Sequence, residues 1–419
     1  VRGHENQDAG RDESRGAGRD ESRGEAGGDA PPSDSEGAGI RSGAGTGGRS
    51  DTRPDARPDP GADVPVEPGA DVPVDPADRR PDRRARALRI AGLALAGVLV
   101  LGAGTAGWAY WQLGDNITGV DIDSALGDNR PARGTTADRG APASSSASPL
   151  PTGSLNILVL GSDARGGGDN RALGGGDSGG ARSDTAMVVH LDAGRTAATV
   201  VSIPRDTLVE RPACPLPDGG TTRPASHAMF NSAYEVGGPV CAVKTAELLT
   251  DVRMDHYVEI DFTGFARLVD ALGGVTVTTD EDIDDDRSRL DLEAGTHHLD
   301  GTDALALART RYGIGDSSDL GRIGLQHMLV KALLDRTGTQ SLLTDPVKLY
   351  EVADAVTGSL TTDTGLDSLT ELTRFAQSLR GLSSSAVTTL TMPVVPAPWN
   401  ADRVVADQPE AEELWESLR

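Results

Sequence analysis

Three short runs of apolar, mostly β-branched residues stand close together in the middle of the chain: LNILVLG (Leu155 to Gly161), TAMVVHL (Thr185 to Leu191) and ATVVSI (Ala198 to Ile203). Runs of this length and composition predict buried strands. Between the second and third lies DAGRT, a short polar turn containing Gly194 that predicts a β-hairpin. If the Gly-rich stretch from Gly166 to Gly180 also joins antiparallel neighbours, the chain runs up, down and up. The end of the first strand (Asp163, Arg165), the start of the second (Arg182, Asp184) and the end of the third (Arg205, Asp206) then meet at one sheet edge. Further on, a helix near Val240 to Leu249, a strand at HYVEIDF, a helix from Thr263 to Leu272 and a strand at VTVTT alternate. Alternation of this kind predicts an α/β fold, helices layered on both sides of a mixed central sheet. Phe265, Leu268, Val269 and Leu272 fall at core spacing, and Gly273 with Gly274 ends their helix. Helical runs at 345–356 and 366–379, a strand at 386–392 and a final helix PEAEELWESLR predict a C-terminal extension, 338–419, packed on a main domain at 154–337.

The first third is organised differently. Asp, Glu, Arg, Gly, Ser and Pro dominate residues 1–86, with GRDESRG and PGADVPV each occurring twice. Such a segment buries too little apolar surface to offset its chain entropy and is expected to be a disordered tail. The opening Val1 fits either a non-Met start codon or a shortened chain. Six arginines between Arg79 and Arg89 lead into Ile90 to Leu113, 24 residues without a charge. The span 87–113 is therefore expected to cross a bilayer once, its arginine end cytoplasmic and Trp108, Tyr110 and Trp111 at the outer interface. A cleaved signal peptide fits less well, since the run is long and far from the N-terminus. Residues 114–153, rich in Ala, Ser, Pro and Gly, predict a flexible extracytoplasmic tether.

Charge adds candidate chemistry. The net charge of −24 disfavours nucleic acid as a partner. Three arginines and three aspartates at one sheet edge cost desolvation energy unless paired. Two readings remain open: a divalent cation on Asp163 and Asp184 with phosphate gripped by the guanidinium groups, or ordinary Arg/Asp salt bridges. Only three lysines (Lys244, Lys331, Lys348) accompany the many arginines, a bias that codon usage alone can produce. Cys214 and Cys241, the only cysteines, predict a disulfide in an oxidising compartment, stabilising the fold by roughly 3 kcal/mol. The acidic run from Asp280 to Asp291 lacks the EF-hand pattern and is expected to be a solvated loop. His190 reads as a core or hydrogen-bonded residue, and His297 and His298 as surface residues. GxxxxGK[ST] and HExxH patterns are absent.

Seven ordered motifs, GSDAR (Gly161 to Arg165), RSDT (Arg182 to Thr185), SIPRD (Ser202 to Asp206), NSAYEVGGP (Asn231 to Pro239), LVDALGGV, ALARTR (Ala306 to Arg311) and DLGRIGLQ (Asp319 to Gln326), resemble those of the LytR-CpsA-Psr family. The resemblance implies a plasma-membrane phosphotransferase that moves a glycopolymer from a polyprenyl pyrophosphate carrier onto a peptidoglycan hydroxyl. It implies Mg²⁺, or Mn²⁺, on Asp163 and Asp184. Arg165, Arg182, Arg205, Arg309, Arg311 and Arg322, with Gln326 and Asn231 as polar supports, would hold the pyrophosphate, with Arg182, Arg205 and Asp206 at the reacting atoms. Whether Asp206 orients an arginine, accepts a proton or only bridges to Arg205 stays open. Members of the family often carry a second Arg where this chain has Leu325, a departure expected to remove one phosphate contact. A transcriptional regulator, a non-catalytic glycan-lipid binder and a pyrophosphatase are the competing readings.

Overall fold

The computed structural model describes residues 83–133, 153–163, 183–311, 319–339 and 345–419. The expected tail before residue 83, the stretch 134–152 and the Gly-rich stretch lie outside the described residues, as do Arg165 and Arg182. In chain order the elements are α1 (Arg83–Asp115), β1 (Thr118–Val120), α2 (Ile122–Leu126), β2 (Leu155–Ser162), β3 (Ser183–Leu191), β4 (Ala198–Ser202), β5 (Leu208–Arg211), β6 (Ala225–Met229) and α3 (Asn231–Thr250). Then come β7 (His256–Asp261), α4 (Phe262–Ala271), β8 (Val275–Thr279), β9 (Ile283–Asp285), β10 (Leu290–Leu292), β11 (Gly295–Leu299), α5 (Gly301–Arg309) and α6 (Asp319–Thr339). The last are α7 (Pro346–Thr357), β12 (Leu360–Asp363), α8 (Leu369–Ser378), β13 (Val387–Thr391), β14 (Val394–Ala397), β15 (Asn400–Ala406) and α9 (Glu410–Glu416).

Seven strands form one mixed sheet in the order β1-β12-β7-β2-β3-β4-β13. β2, β3 and β4 are successive antiparallel neighbours, so the chain does run up, down and up. Strands β7 and β13 flank them in parallel with β2 and β4. The β3–β4 turn is the expected hairpin, with Leu191 opposite Ala198. Arg195, not Gly194, takes the left-handed backbone (φ 56°), and the Asp192 carboxylate fixes the turn by accepting from the backbone N–H groups of Gly194, Thr196 and Ala197 at 3.2, 2.7 and 2.8 Å.

Period-two alternation gives the sheet two apolar faces. Leu158, Leu160, Val188 and Val201 pack with Ala242, Val243 and Ala246 of α3 and with Trp415 of α9. Leu155, Ile157, Met187 and Val200 face Val330 and Leu334 of α6 and Phe375 and Leu379 of α8. A third cluster joins α4, α5 and α6 to β8 through β11. α3 is broken at Gly237 and Gly238, where φ is −142° and +61°, just before Pro239, which has no N–H to donate. A Cβ on Gly237 would come 2.7 Å from that of Cys241. Cys241 is bonded to Cys214 (S–S 2.03 Å), tying the loop after β5 to α3.

The sheet ignores two boundaries expected from composition. β12 and β13 come from the C-terminal extension, yet one lies inside the central sheet and the other closes its edge. β1, from the expected tether, is the opposite edge strand, paired with β12 from Thr118 to Val120. Residues 116–133 are part of the fold because they supply buried partners. Arg130 donates from Nη2 to Glu247 Oε1 at 2.6 Å and to the Met254 carbonyl at 2.6 Å, with both charged side chains at most 4% exposed. The acidic run also differs from expectation. It forms the β9–β10 hairpin, in which Ile283, Asp285 and Leu290 are buried.

Within α1, Ile90–Asp115 is long and apolar enough to cross a membrane, with mean hydropathy 1.9 and no burial of its apolar window. Its last turns also touch the domain. Trp108 stacks on Tyr350 at 6.4 Å between ring centroids, and Tyr110 hydrogen-bonds Thr370 at 2.9 Å. Replacing Arg130 by Met would leave the buried Glu247 carboxylate uncompensated. A loss of about 3–5 kcal/mol in unfolding free energy is expected from denaturant melts of the full chain in detergent; an unchanged midpoint would return residues 116–133 to the status of a tether.

Candidate functional site

The register of β2, β3, β4 and β7 sets the site. β2 ends at Ser162 opposite Asp261 of β7, β3 begins at Ser183, and β4 leads through Ile203 to Arg205. Asp163, Asp184, Arg205 and Asp206 therefore collect at one sheet edge. α5 ends at Arg309, and the Arg311 backbone N–H beyond it is held by the buried Asp285 carboxylate at 2.9 Å. α6 begins at Asp319 and carries Arg322 and Gln326 one turn apart, both nearly buried.

Two cavities meet here. The first, about 420 Å³, runs between the sheet and α4, α5 and α6, and its walls are apolar: Val159, Met187, Ile260, Phe265, Leu268 and Leu333 among them. The second, about 440 Å³, is polar and is lined by Asp163, Asp184, Arg205, Asp206, Asn231, Arg311 and Arg403 with Met229. Asp184, Arg205 and Arg311 line both, so they form the threshold between an apolar tunnel and a polar bowl. On α4, Phe265 and Leu268 face the tunnel while Val269 and Leu272 are core, which separates two roles that helical spacing alone left merged.

Asp319 is the hub of the threshold. Its carboxylate lies 2.5 Å from Arg322, 3.6 Å from Arg205 and 3.9 Å from Arg311. Arg205 also pairs with Asp184, and Arg322 donates to the Asp184 carbonyl at 2.9 Å. Among the described residues neither Asp319 carboxylate oxygen takes a directed hydrogen bond, and the Nε groups of Arg205 and Arg322 are buried without a hydrogen-bond acceptor. Buried donors of this kind are costly unless something completes them. Burial pulls the Arg322 guanidinium down to about 10, against the opposing pull of Asp319, and it stays cationic at neutral pH. Asp206 binds a second ring of cations, Arg403 at 3.4 Å, Arg205 at 3.9 Å and Arg311 at 4.0 Å. Beneath Asp163, the buried Glu259 accepts from Tyr234 at 2.5 Å and Tyr257 at 2.7 Å. Burial and then Glu259 raise the Tyr234 phenol, so this network stays fixed.

Of the expected site residues, the structure gathers Asp163, Asp184, Arg205, Asp206, Asn231, Arg311, Arg322 and Gln326. Arg309 lines the tunnel, with its guanidinium 5.1 Å above the Phe262 ring. Gln326 uses its amide on Thr185 Oγ1 (2.8 Å) and the Ala308 carbonyl (3.1 Å), bracing β3 against α5. Asp285, Asp319 as a hub, Tyr234 and Arg403 were not singled out by the sequence. Leu325 lies in the apolar cluster of α4, α5 and α6 and lines neither cavity, so the expected lost phosphate contact has no counterpart in this geometry. No group of three or more His, Cys, Asp or Glu side chains suited to a metal is found among the described residues.

Residues 112–419 match the profile of the LytR_cpsA_psr family. The chain belongs to that family. Among LytR_cpsA_psr relatives, it is 36% identical over 276 residues to the probable cell wall biosynthesis protein LcpB of Corynebacterium glutamicum, an alignment covering 64% of this chain and 62% of LcpB. It is 32% identical over 216 residues to the polyisoprenyl-teichoic acid–peptidoglycan teichoic acid transferase TagV of Bacillus subtilis, covering 50% of this chain and 51% of TagV. The chain thus spans between half and two thirds of these relatives' lengths. The crystal structure of B. subtilis TagV superposes with a TM-score of 0.50 at 28% identity, covering 64% of this chain and 97% of the TagV chain.

His327, beside Gln326 on α6, bonds Ser202 Oγ of β4 through Nε2 at 2.9 Å. Burial, then Lys331, holds its imidazole below the ordinary value, and burial does the same for His190, which bonds Asn156 at 2.7 Å. A folded state that binds protons less readily than the unfolded chain is fully stable above the ordinary imidazole pKa, about 6.5, and loses stability as pH falls through it. The thermal midpoint should drop between about pH 7.5 and 5.5, and His327→Gln should flatten part of that slope. A slope unchanged in the variant would remove His327 from the account.

Proposed function

We propose that this family member is a single-pass membrane phosphotransferase that moves a glycopolymer from a polyprenyl pyrophosphate carrier onto a peptidoglycan hydroxyl. The observation that carries the reading is an apolar tunnel that ends at Arg205 and Arg322, whose buried Nε groups lack hydrogen-bond acceptors among the described residues. A prenyl chain suits the first part and a diphosphate the second. The name of the relative TagV, a teichoic acid transferase acting between a polyisoprenyl-linked polymer and peptidoglycan, supports the substrate class. The positive N-terminal flank of α1 and the Cys214–Cys241 bond favour an extracytoplasmic domain.

In the proposed step an acceptor hydroxyl oxygen entering through the polar bowl bonds to the glycan-side phosphorus. The bond from that phosphorus to the bridging oxygen breaks, and polyprenyl phosphate departs with the electron pair while the hydroxyl proton passes to a base or to solvent. Arg205, Arg311 and Arg322 bind the diphosphate and meet the charge that shifts to the leaving phosphate, the effect that dominates phosphoryl transfer. Arg309 lies on the tunnel side, while Arg165 and Arg182, from the same motifs, are proposed to join it. Asp206, tied to three arginines, orients them, and Gln326 and Asn231 hold the polar wall. Asp163 and Asp184 line one cavity, and a pair of carboxylates without a full protein cage is the donor set Mg²⁺, or Mn²⁺, accepts when phosphate and water complete its shell. The bound cation would supply neutralisation of the diphosphate.

The test uses the full chain in lipid nanodiscs with a polyprenyl-pyrophosphoryl glycan and a peptidoglycan oligomer. Conjugate formation should depend on added Mg²⁺ and fall by about 100-fold or more in Arg205→Ala and in Asp184→Ala. Free glycan phosphate without conjugate would make the chain a hydrolase, and bound but unchanged carrier would make it a binding protein.

A further inference from the structure

The chain has four tryptophans. Two belong to the membrane-spanning helix and Trp415 is buried in the core, which leaves Trp399, at the tip of the β14–β15 hairpin, 58% exposed. Its ring meets His227 of β6 edge-on, 4.5 Å between centroids. The backbone is distorted to bring that histidine there. The β5–β6 register slips between Val209 and Arg211, and His227 takes a left-handed φ of 56° at the irregularity. Bulges re-aim side chains, and a non-glycine residue held in that region is a strain that tends to mark function. The ordinary explanation, two rings pinning two hairpins, leaves the exposed face of Trp399 without a purpose.

The platform adjoins the polar bowl. A bridge between Thr207 and Val404 sets β15 alongside the chain just after Asp206, and that places Arg403 3.4 Å from the Asp206 carboxylate. Arg403 and, two residues beyond His227, Met229 line the bowl, whereas no residue of β5, β6, β14 or β15 lines the tunnel. Trp399 is four positions from Arg403, on the order of 13 Å along an extended strand, the reach of a short oligosaccharide. In phosphoryl transfer the attacking oxygen lies opposite the leaving group. With the leaving lipid phosphate on the tunnel side, the bowl and the platform beyond it lie on the attacking side.

We propose that Trp399, backed by His227, is a stacking subsite for a pyranose ring of the acceptor glycan, continuous with the bowl through Arg403. This rests on the transferase reading for the direction of attack. The polarised C–H face of a sugar suits the electron-rich face of an indole, and the hydroxyls of sugars further along the strand suit the Arg403–Asp206 pair at the bowl.

The experiment measures binding directly, apart from transfer. The full chain in nanodiscs is titrated calorimetrically with a tetrasaccharide of the peptidoglycan glycan strand and, separately, with a polyprenyl-pyrophosphoryl disaccharide. Trp399→Ala should weaken tetrasaccharide binding by about tenfold and leave the carrier-glycan Kd within twofold, while Trp399→Phe, which keeps a stacking face, restores most of the affinity. His227→Ala should give a smaller loss of the same kind. Unchanged tetrasaccharide binding in Trp399→Ala, no binding by the parent protein, or a loss confined to the carrier-linked glycan would each overturn the proposal. Tetrasaccharide binding lost in Trp399→Ala by a protein that transfers nothing would leave the subsite standing and sink the transferase reading instead.

Discussion

Asp319 holds three arginines within 4.0 Å of one carboxylate at the line where an apolar tunnel meets a polar bowl. Charges removed from water are tolerated only when partners surround them, and here the partners come from four separate elements. Arg205 follows β4, Arg311 follows α5, Arg322 and Asp319 belong to the first turns of α6, and Asp184 sits on β3. Each is tied to the rest, so the sheet edge, α5 and α6 hold one another in register. Gln326 strengthens the arrangement by joining Thr185 to the Ala308 carbonyl.

The cluster is paired but not saturated. Its ion pairs are close, yet the Nε groups of Arg205 and Arg322 make no hydrogen bond among the described residues. An anion with several oxygens would complete them in one step, and the apolar walls behind would accept a hydrocarbon chain attached to it. The same sheet and helices thus do two jobs. The sheet face toward α6 is core at Leu155 and Leu191 and tunnel wall at Val159 and Met187, and α4 divides likewise between Val269 and Phe265.

Much of this could be read from the chain. The β-branched runs of β2, β3 and β4 and the antiparallel order they imply were legible because each strand pairs with its sequence neighbour. The edge where Asp163, Asp184, Arg205 and Asp206 meet followed from that order. Long-range pairing was not legible. β1 and β12, some 240 residues apart in sequence, read as tether and as extension because each is three or four residues long and pairs only with strands far away in sequence, β1 with β12 and β12 with β1 and β7. Arg403 was hidden for the same reason, since nothing near it in sequence indicates that β15 returns to Asp206. Asp319 opens α6, where an aspartate has an ordinary role as a helix cap, and nothing near it in sequence indicates that three arginines converge on it. Leu325 misled because a helix carries two faces within one motif, and 322, 326, 329 and 333 face the tunnel while 325 does not.

The central claim is that the tunnel and its arginine threshold bind one molecule, a prenyl chain ending in diphosphate. It is tested most directly by the dissociation constant of prenyl diphosphates of increasing length, measured on the full chain in nanodiscs. Each isoprene unit that enters the tunnel buries several CH₂-sized groups worth about 0.8 kcal/mol apiece, so affinity should climb steeply with length and level off once the tunnel is full, and filling it with Leu268→Trp should end the climb early. An affinity that does not change with chain length, or that Leu268→Trp leaves untouched, would contradict the account.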